Sequence, residues 1–407
     1  METNSTHSDG KIPNTKSQRP AVSSAAAGGL EGVVVADTQL SDVDGELGRL
    51  IIGGYDVEEL VGRSSIEDVC LLLWRGVAVG GDPAARNAMQ AELGQARQAA
   101  FARLGQLGDA LDSSDGMDAL RAGVAHLHLP LPETKTETKT DAKVEALSGE
   151  ALLTGAMAVF AAAWSRKQRG LQPVAPDPAL DHAADYLRMV RGELAPPALA
   201  AGVGAYLVTV SDHGMNASTF TARVVASTGS DLVSAVVAAI GALKGPLHGG
   251  APGPVLDMLD AIGLPEHATA WLESELLAGR RIMGMGHRIY RVRDPRALVL
   301  ERTMSGILQQ QGADSAAASA RLPLARAVEQ AALGVLRTRY PNRPLHANVE
   351  FYTAVLLDAL GLPRVLFSPT FAVGRVVGWC AHVREQRQTG RLIRPASRFA
   401  GVARTLG

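Results

Sequence analysis

Apolar residues recur along most of this chain at the three- and four-residue spacing of a helix face, so helix is the dominant predicted element. The segment 232–243 shows this clearly, with leucine, valine and isoleucine at helical spacing. Ser230 precedes it and is of a residue type that caps helix N-termini, while Gly245 and Pro246 end it. A further helix is predicted over 254–262.

Two other local patterns complete the secondary-structure prediction. Ser64 and Glu67 have the spacing of a capping box and stand ahead of an apolar run. The segment 49–52 alone has the composition of a short strand. The fold class is therefore predicted to be mainly α.

Two stretches lack the apolar residues that a folded core needs. Residues 1–28 are rich in serine, threonine, lysine and alanine, a composition typical of a disordered tail. Residues 133–143 alternate charge and threonine, which predicts an exposed loop between helices.

The composition narrows the classes of function. Of the 407 residues, 46% are hydrophobic but only 4% are aromatic, which favours packed helices over a β-sandwich. The formal net charge of -1 gives no reason to expect a nucleic-acid or membrane partner. The longest apolar run, 151–164, is too short to span a bilayer. Cys70 and Cys380 lack the spacing of a metal site or disulfide framework, and the N-terminus has no apolar signal segment, so we expect a cytoplasmic protein without a metal site.

Candidate chemistry is concentrated in a few glycine-rich or polar segments. His248 lies in the turn KGPLHGGAP, where glycines let a ligand approach the backbone. Histidine often serves as an acid or base, although a histidine simply packed in a loop is the alternative. His287 lies in GMGHRIYRVRDPR, where four arginines follow within ten residues. That density favours phosphate or carboxylate binding over a merely solvated basic loop.

Two more segments are ambiguous when taken singly. Glu350 in ANVEFYT stands before an apolar helix, so its carboxylate is either functional or a partner of the helix dipole. The segment 211–220, SDHGMNASTF, is unusually polar for this chain. Asn216 or Ser218 within it could simply cap the next helix.

Together these segments resemble the citrate synthase family, which includes citrate and 2-methylcitrate synthases, from about Gly29 to Gly401. The stretch GLEGVVVADTQLSDVDGELGRLIIGGYDVEEL is similar to that family's N-terminal signature. Six further motifs follow in the family's order: SDHGMNASTFTARVVAST, GALKGPLHGGAP, GMGHRIYRVRDPRA, RPLHANVEFYTA, SPTFAVGRVVGWCAHVREQ and LIRP.

The resemblance implies a catalytic set of His248, His287 and Glu350. In that role His248 hydrogen-bonds the thioester carbonyl of acetyl-CoA, Glu350 removes a methyl proton, and His287 polarises the ketone of oxaloacetate. The enol then attacks, and citryl-CoA is hydrolysed to citrate and CoA. A weakly acidic methyl group needs such a positioned base and stabilisation of the enolate oxygen. The implied enzyme is a Si-type acyltransferase of the tricarboxylic acid cycle that needs no cofactor.

The resemblance also implies binding residues. The positions that match oxaloacetate contacts in the family are His213, Arg296, Phe371, Arg375 and Arg394. Arg394 matches an arginine that reaches the neighbouring subunit's site, which implies a homodimer. The positions that match CoA contacts are Gly284, Gly286 and Arg291, with the loop 284–290 along the adenine.

The family fold implies two helical domains. The large domain would comprise 29–249 and 362–407, and the small domain would comprise 250–361. Closure of the small domain over the substrates would exclude water during condensation. We expect no extra N-terminal β-domain of the kind linked to NADH-regulated hexameric relatives, which again favours a dimer.

Glu350 is the main departure from the family, whose commonest residue at that position is Asp. A misplacement of a catalytic group by about 1 Å can cost on the order of 100-fold in rate. Some bacterial relatives also have NVEFY, so an active citrate synthase is the favoured interpretation. A 2-methylcitrate synthase using propionyl-CoA remains an alternative, since one methylene discriminates by only about 1–3 kcal/mol. A weakly active or non-catalytic CoA-binding paralogue is another. Gly214, where many relatives have Glu, is a second departure of little expected consequence.

Overall fold

The computed structural model describes residues 29–30, 32–128, 147–249, 252–311, 316–397 and 399–402. The predicted tail, 1–28, and the predicted loop, 133–143, lie outside the described residues. The chain divides into two units, Met1–Asp37 and Thr38–Gly407. The described residues of the first unit form no helix or strand, so every element below belongs to the second.

Helices make up most of the second unit, which confirms the prediction of a mainly α fold. In chain order they are α1 (Val57–Leu60), α2 (Ile66–Arg75), α3 (Pro83–Phe101), α4 (Gly116–Ala125), α5 (Gly149–Gln168), α6 (His182–Arg191), α7 (Pro197–Val210), α8 (Ala217–Ser227), α9 (Leu232–Lys244), α10 (Pro252–Ile262), α11 (Ala268–Leu277), α12 (Pro295–Gln311), α13 (Ala316–Arg339), α14 (Val349–Ala359) and α15 (Phe367–Thr389). Short 3-10 helices lie at Leu104–Gln106, Ala110–Asp112, Pro265–His267 and Arg364–Leu366.

A small antiparallel sheet precedes the helices. Its strands, in spatial order, are β1 (Ser41–Asp44), β2 (Arg49–Ile52) and β3 (Tyr55–Asp56). In the register of the first pair, Ser41 lies opposite Ile52. The strand predicted over 49–52 is confirmed, but the sequence prediction misses both of its partners. The sequence of β1 is SDVD, with two aspartates of low strand propensity, and β3 has only two residues.

The caps of two helices differ by one residue from the predicted ones. The hydroxyl of Ser65 accepts a hydrogen bond from Asp68 N, and the Asp68 carboxylate accepts one from Ser65 N. This capping box starts α2 in place of the predicted pair Ser64 and Glu67. Ser64 instead donates to the carbonyl of Leu60 at 2.7 Å, because it belongs to the turn that ends α1.

The start of α9 shows the same shift. Its N-cap is Asp231 rather than Ser230, and the Asp231 carboxylate accepts from Ser234 N at 2.8 Å. A carboxylate at this position is also favoured by the positive end of the helix dipole. The predicted end at Gly245 is confirmed, and the helix predicted over 254–262 is α10.

Two helices, α5 and α15, run through the core and pack against each other. Residues 151–165 of α5 are all buried, as are most residues of 367–383 in α15. A helix that is buried on every side has no solvent-facing stripe. Within the part of the chain that the structure describes, no helix is both long and apolar enough to cross a membrane.

Contacts between helices bring the candidate segments together. The helix α12 packs against α7 and α14, and α15 packs against α7, α8 and α9. The segment 211–214 follows α7. A hydrogen bond joins the starts of α12 and α14, since Val349 N donates to Asp294 Oδ2 at 3.1 Å. The division into a large and a small closing domain stays a prediction.

Candidate active site

A buried ion pair fixes the start of α12. Arg296 donates to Asp294 through two parallel hydrogen bonds, Nε to Oδ1 at 3.0 Å and Nη2 to Oδ2 at 2.7 Å. Both side chains are buried. Since the same Asp294 carboxylate accepts from Val349 N, the pair holds the Arg296 guanidinium beside the first turn of α14.

Glu350 lies in that first turn. Its backbone N–H donates to the N-cap side chain, Asn348 Oδ1, at 3.0 Å. The side chain is 8% exposed, and Oε2 has no hydrogen-bond partner among the described residues. Burial raises the pKa of Glu350 to about 7, although the charges of Arg296 and Arg375 favour its ionised form. Such a carboxylate is a stronger base than an exposed one and changes its protonation near neutral pH.

Two glycines hold the loop before His287 against the start of α14. Gly284 O accepts from Asn348 N at 2.9 Å, and Gly286 N donates to the carbonyl of His346 at 2.7 Å. Their φ angles are 73° and 91°, in the left-handed region that side chains rarely adopt. A Cβ on Gly284 would also lie 2.9 Å from the side chain of Phe351. These glycines therefore set the position of His287, and their predicted contact with CoA stays a prediction.

His287 is a neutral imidazole whose tautomer is set by the backbone. Its Nδ1 accepts from Ile289 N at 3.0 Å and from Tyr290 N at 3.1 Å. Burial, together with the charge of Arg296, lowers the pKa of His287 to about 4. Because Nδ1 is an acceptor, the single ring proton is assigned to Nε2. His287 thus offers an N–H donor.

His248 has the opposite tautomer. Its Nε2 accepts from Ser218 N at 3.2 Å and lies 2.8 Å from Ser218 Oγ. The Ser218 hydroxyl in turn accepts from Trp379 Nε1 at 3.1 Å. Burial, together with the charge of Arg375, lowers the pKa of His248 to about 4. The proton is therefore assigned to Nδ1, so the two histidines present opposite ring nitrogens as neutral donors.

His213 and Tyr290 lie beside His287. The ring centroids are 5.6 Å apart for His213 and His287, and 4.7 Å apart for Tyr290 and His287. His213 Nε2 lies 3.1 Å from Tyr290 Oη. Burial, together with the charge of Arg296, lowers the pKa of His213 well below its usual value. Sequence reasoning assigns Tyr290 only to a loop along CoA and misses this contact. Its place three residues after His287 in the same glycine-rich segment was the available signal.

Arg375 supplies a buried cation with an unused donor. It lies on α15, is 1% exposed, and donates from Nε to the carbonyl of Val210 at 2.6 Å. Its Cζ lies 4.8 Å from the ring centroid of Phe371. Its Nη2 is buried and makes no hydrogen bond within the described ranges. Burial lowers the pKa of Arg375 to about 10, so it stays cationic at neutral pH and can bind an anion.

These side chains share one electrostatic environment. The charges of Arg296 and Arg375 act on His213, His248 and Glu350 alike. The cluster combines two buried cations, two neutral N–H donors and a carboxyl group that ionises near neutral pH. Such a set can bind a carboxylate substrate, polarise carbonyl oxygens and remove a proton from carbon.

Two predicted binding residues lie outside this cluster. Arg291 is about half exposed, and its Nε lies 4.0 Å from Glu46 Oε1. Arg394 is exposed in the segment that follows α15. Their predicted contacts, with CoA and with the partner's site, involve molecules beyond this single chain and stay predictions.

The chain is similar over almost its whole length to proteins of known type. The family described as "Citrate synthase, C-terminal domain" matches residues 29–396. A citrate synthase of Haloferax volcanii is 38% identical and covers 92% of this chain and 95% of its own. A 2-methylcitrate synthase of Mycobacterium tuberculosis is 34% identical, over 92% of this chain and 90% of its own. The structure of Thermoplasma acidophilum citrate synthase, a ternary complex with carboxymethyl coenzyme A and oxaloacetate, has a TM-score of 0.78 and 26% identity, and covers 92% of this chain and 96% of its own.

Proposed function

The chain belongs to the citrate synthase family, and we propose that it condenses acetyl-CoA with oxaloacetate and hydrolyses the citryl-CoA that forms. The observation that carries this proposal is the pair of neutral histidines with opposite tautomers, His248 and His287, in the same electrostatic environment as the buried base Glu350.

The first step is the enolisation of acetyl-CoA. The Glu350 carboxylate removes a proton from the methyl group, and the C–H electron pair becomes the carbon–carbon double bond of the enolate. His248 Nδ1–H donates to the thioester oxygen, where negative charge develops. Because the site is buried, this hydrogen bond is stronger than it would be in water.

The second step is the attack of the enolate carbon on the ketone carbon of oxaloacetate. His287 Nε2–H donates a hydrogen bond to the ketone oxygen and stabilises the alkoxide that forms. The alkoxide takes up one proton to give the hydroxyl group of citryl-CoA, which balances the methyl proton taken by Glu350. Arg296 and Arg375, with His213, bind the two substrate carboxylates. Water then adds to the thioester of citryl-CoA, and the CoA thiol leaves to give citrate.

The finer features of the proposal concern stereochemistry and assembly. Attack on the si face of the ketone and a place in the tricarboxylic acid cycle follow from the family resemblance. A cytoplasmic location is supported by Cys70 and Cys380, which lack the spacing of a disulfide framework. A homodimer in which Arg394 reaches the partner's site also follows from the family resemblance. The exposure of Arg394 in the segment after α15 supports the dimer, because an exposed guanidinium is free to meet another chain.

The release of free thiol tests the proposed reaction. Purified protein should release CoA from acetyl-CoA only when oxaloacetate is present. The ratio of kcat/KM for acetyl-CoA and propionyl-CoA tests the choice of substrate, and a preference for propionyl-CoA would make the protein a 2-methylcitrate synthase instead. If both ligands bind and no thiol is released, the protein is a non-catalytic paralogue.

A further inference from the structure

A line of hydrogen-bonded polar side chains starts at Asp212, next to the proposed oxaloacetate-binding residue His213, and His382 lies at its centre. His382 belongs to α15 and is fully buried. Its Nδ1 lies 2.8 Å from Arg223 Nη1, and its Nε2 lies 3.2 Å from Asp212 Oδ2. A guanidinium can only donate, so Nδ1 is the acceptor and the ring proton is on Nε2. His382 therefore donates to Asp212.

Hydrogen bonds fix the backbone on both sides of His213, and Asp212 supports one of them through Ser41. Ser41 Oγ donates to the Asp212 carboxylate and accepts from Gly214 N, which lies 3.0 Å away. On the other side, Gly378 N donates to the carbonyl of Ser211 at 3.1 Å. A Cβ on Gly378 would lie only 2.3 Å from that oxygen, so the turn 211–214 is pressed directly against α15.

Asp212 also acts on the cation of the same subsite. Its negative charge raises the pKa of Arg375, against the lowering caused by burial. Arg375 itself donates to the carbonyl of Val210, one residue before the turn. An ionised Asp212 thus supports the charge of Arg375 and the position of His213 together.

The far end of the line reaches the C-terminal segment. Arg223 donates from Nη1 to Glu385 Oε2 at 2.6 Å and from Nε to Gln386 Oε1 at 3.1 Å. Gln386 Nε2 donates to the carbonyl of Arg391 at 3.0 Å. The segment that carries Arg394 therefore begins where this polar line ends.

We propose that His382 is a positioning residue for oxaloacetate. By donating to Asp212 and accepting from Arg223, it holds the turn 211–214 in place against α15, so that His213 and Arg375 can bind the substrate carboxylates. This inference rests on the proposed function, because it assigns a role at the same site.

Two substitutions separate the two hydrogen bonds of His382. In His382→Asn, the side-chain oxygen can replace Nδ1 as acceptor for Arg223, but the donor to Asp212 is lost. In His382→Gln, the longer amide can replace Nε2 as donor to Asp212. We expect Asn to raise the KM for oxaloacetate about tenfold or more, with the KM for acetyl-CoA and kcat changed less than threefold. Gln should restore most of the affinity for oxaloacetate.

A second buried histidine provides a matched control. His182 is also fully buried, and its Nδ1 lies 3.2 Å from Arg97 Nη1, but it lies in a different cluster from the site. His182→Asn should lower the melting temperature and leave both KM values unchanged. A merely structural role of His382 would instead make the two Asn variants alike.

The outcomes distinguish this inference from the proposed function. Calorimetric titration with oxaloacetate is run on the wild type and on each folded variant. If the wild type neither binds oxaloacetate nor turns over, the proposed function fails and the inference falls with it. If the wild type binds and His382→Asn binds as tightly, or if Gln fails to restore binding, only the role of His382 is refuted.

Discussion

Arg97 and Arg375 are both buried, yet the protein uses them in opposite ways. Arg97 has a partner for each of its three nitrogens. Its Nε donates to Asp185 at 2.7 Å, Nη1 meets His182 at 3.2 Å, and Nη2 donates to two backbone carbonyls. Arg375 uses Nε for the carbonyl of Val210, and its Nη2 finds no hydrogen-bond partner within the described chain. The fold supplies a partner for every nitrogen of Arg97, whereas Arg375 keeps an unused donor.

A buried charge that stabilises the fold differs from one that binds a ligand in whether its hydrogen-bond donors all have partners. Burial of a cation is costly unless it is paired, and the pair Arg97–Asp185 removes that cost within the protein. For Arg375 the cost of burying an incompletely paired cation remains, and a bound carboxylate would remove it. Donors that stay unused are therefore a better mark of a binding site than buried charge by itself.

The sharpest test of the functional region is Glu350→Gln. Glutamine keeps the size of the side chain but cannot accept a proton at neutral pH, so kcat should fall by on the order of 1000-fold. The affinity for oxaloacetate, measured by calorimetry, should change little. Glu350→Asp serves as the companion variant, because it shortens the carboxylate by one methylene and should retain part of the activity. Turnover by Glu350→Gln within tenfold of the wild type would exclude Glu350 as the base.

The comparison of the two arginines predicts opposite phenotypes for one substitution. Arg375→Gln should raise the KM for oxaloacetate about 100-fold, because a buried charged hydrogen bond contributes about 2–5 kcal/mol to binding. It should lower the free energy of unfolding by only about 1 kcal/mol, because within the protein it loses one hydrogen bond, to the carbonyl of Val210. Arg97→Gln should lower the free energy of unfolding by about 3 kcal/mol, since it removes one of the two cations that pair with the buried Asp185 carboxylate and leaves only Arg188. Its KM values should match those of the wild type.

Steady-state kinetics and urea unfolding on both variants make this test. Large losses of stability in both variants, with equal effects on KM, would show that the contrast between the two regions is mistaken.

The pH dependence of kcat/KM tests the environment of the base. Because the pKa of Glu350 is raised to about 7, the fraction of ionised carboxylate falls about tenfold for each pH unit below 7. The pKa values of His248 and His287 are lowered to about 4, so both histidines stay neutral across this range. We expect a single acid limb near pH 7. A limb near 4.5 instead would mean that Glu350 is solvated in the free enzyme.

The sequence predicts the fold class and the members of the site better than it predicts their arrangement. Helices such as α9 follow from the local spacing of apolar residues. Even there the observed N-cap, Asp231, differs by one residue from the predicted Ser230, because both residue types suit the position. The tautomer of His287 is set by its neighbours Ile289 and Tyr290, but that of His248 depends on a distant partner. The tautomer of His248 is set by Ser218, which lies 30 positions earlier in the chain. Asp212 accepts a hydrogen bond from Ser41, which lies 171 positions earlier. No local pattern contains these contacts, and Tyr290 is missed as a partner of His213 for the same reason.

The smallest predicted effect concerns stability and has the opposite sign to that of Arg97→Gln. The pKa of Glu350 is raised on folding from 4.5 to about 7, so the folded state favours the protonated form. Ionisation of Glu350 therefore destabilises the folded state. This effect is absent at pH values below 4.5, grows as the pH rises, and is complete above about 7. Glu350→Gln should therefore stabilise the ligand-free protein by about 1–3 kcal/mol at pH 8 and hardly at all at pH 4.5. Urea unfolding at the two pH values measures this difference. A variant that is less stable than the wild type at pH 8 would show that the carboxylate is satisfied in the folded protein, and the site would then resemble the Arg97 cluster rather than contrast with it.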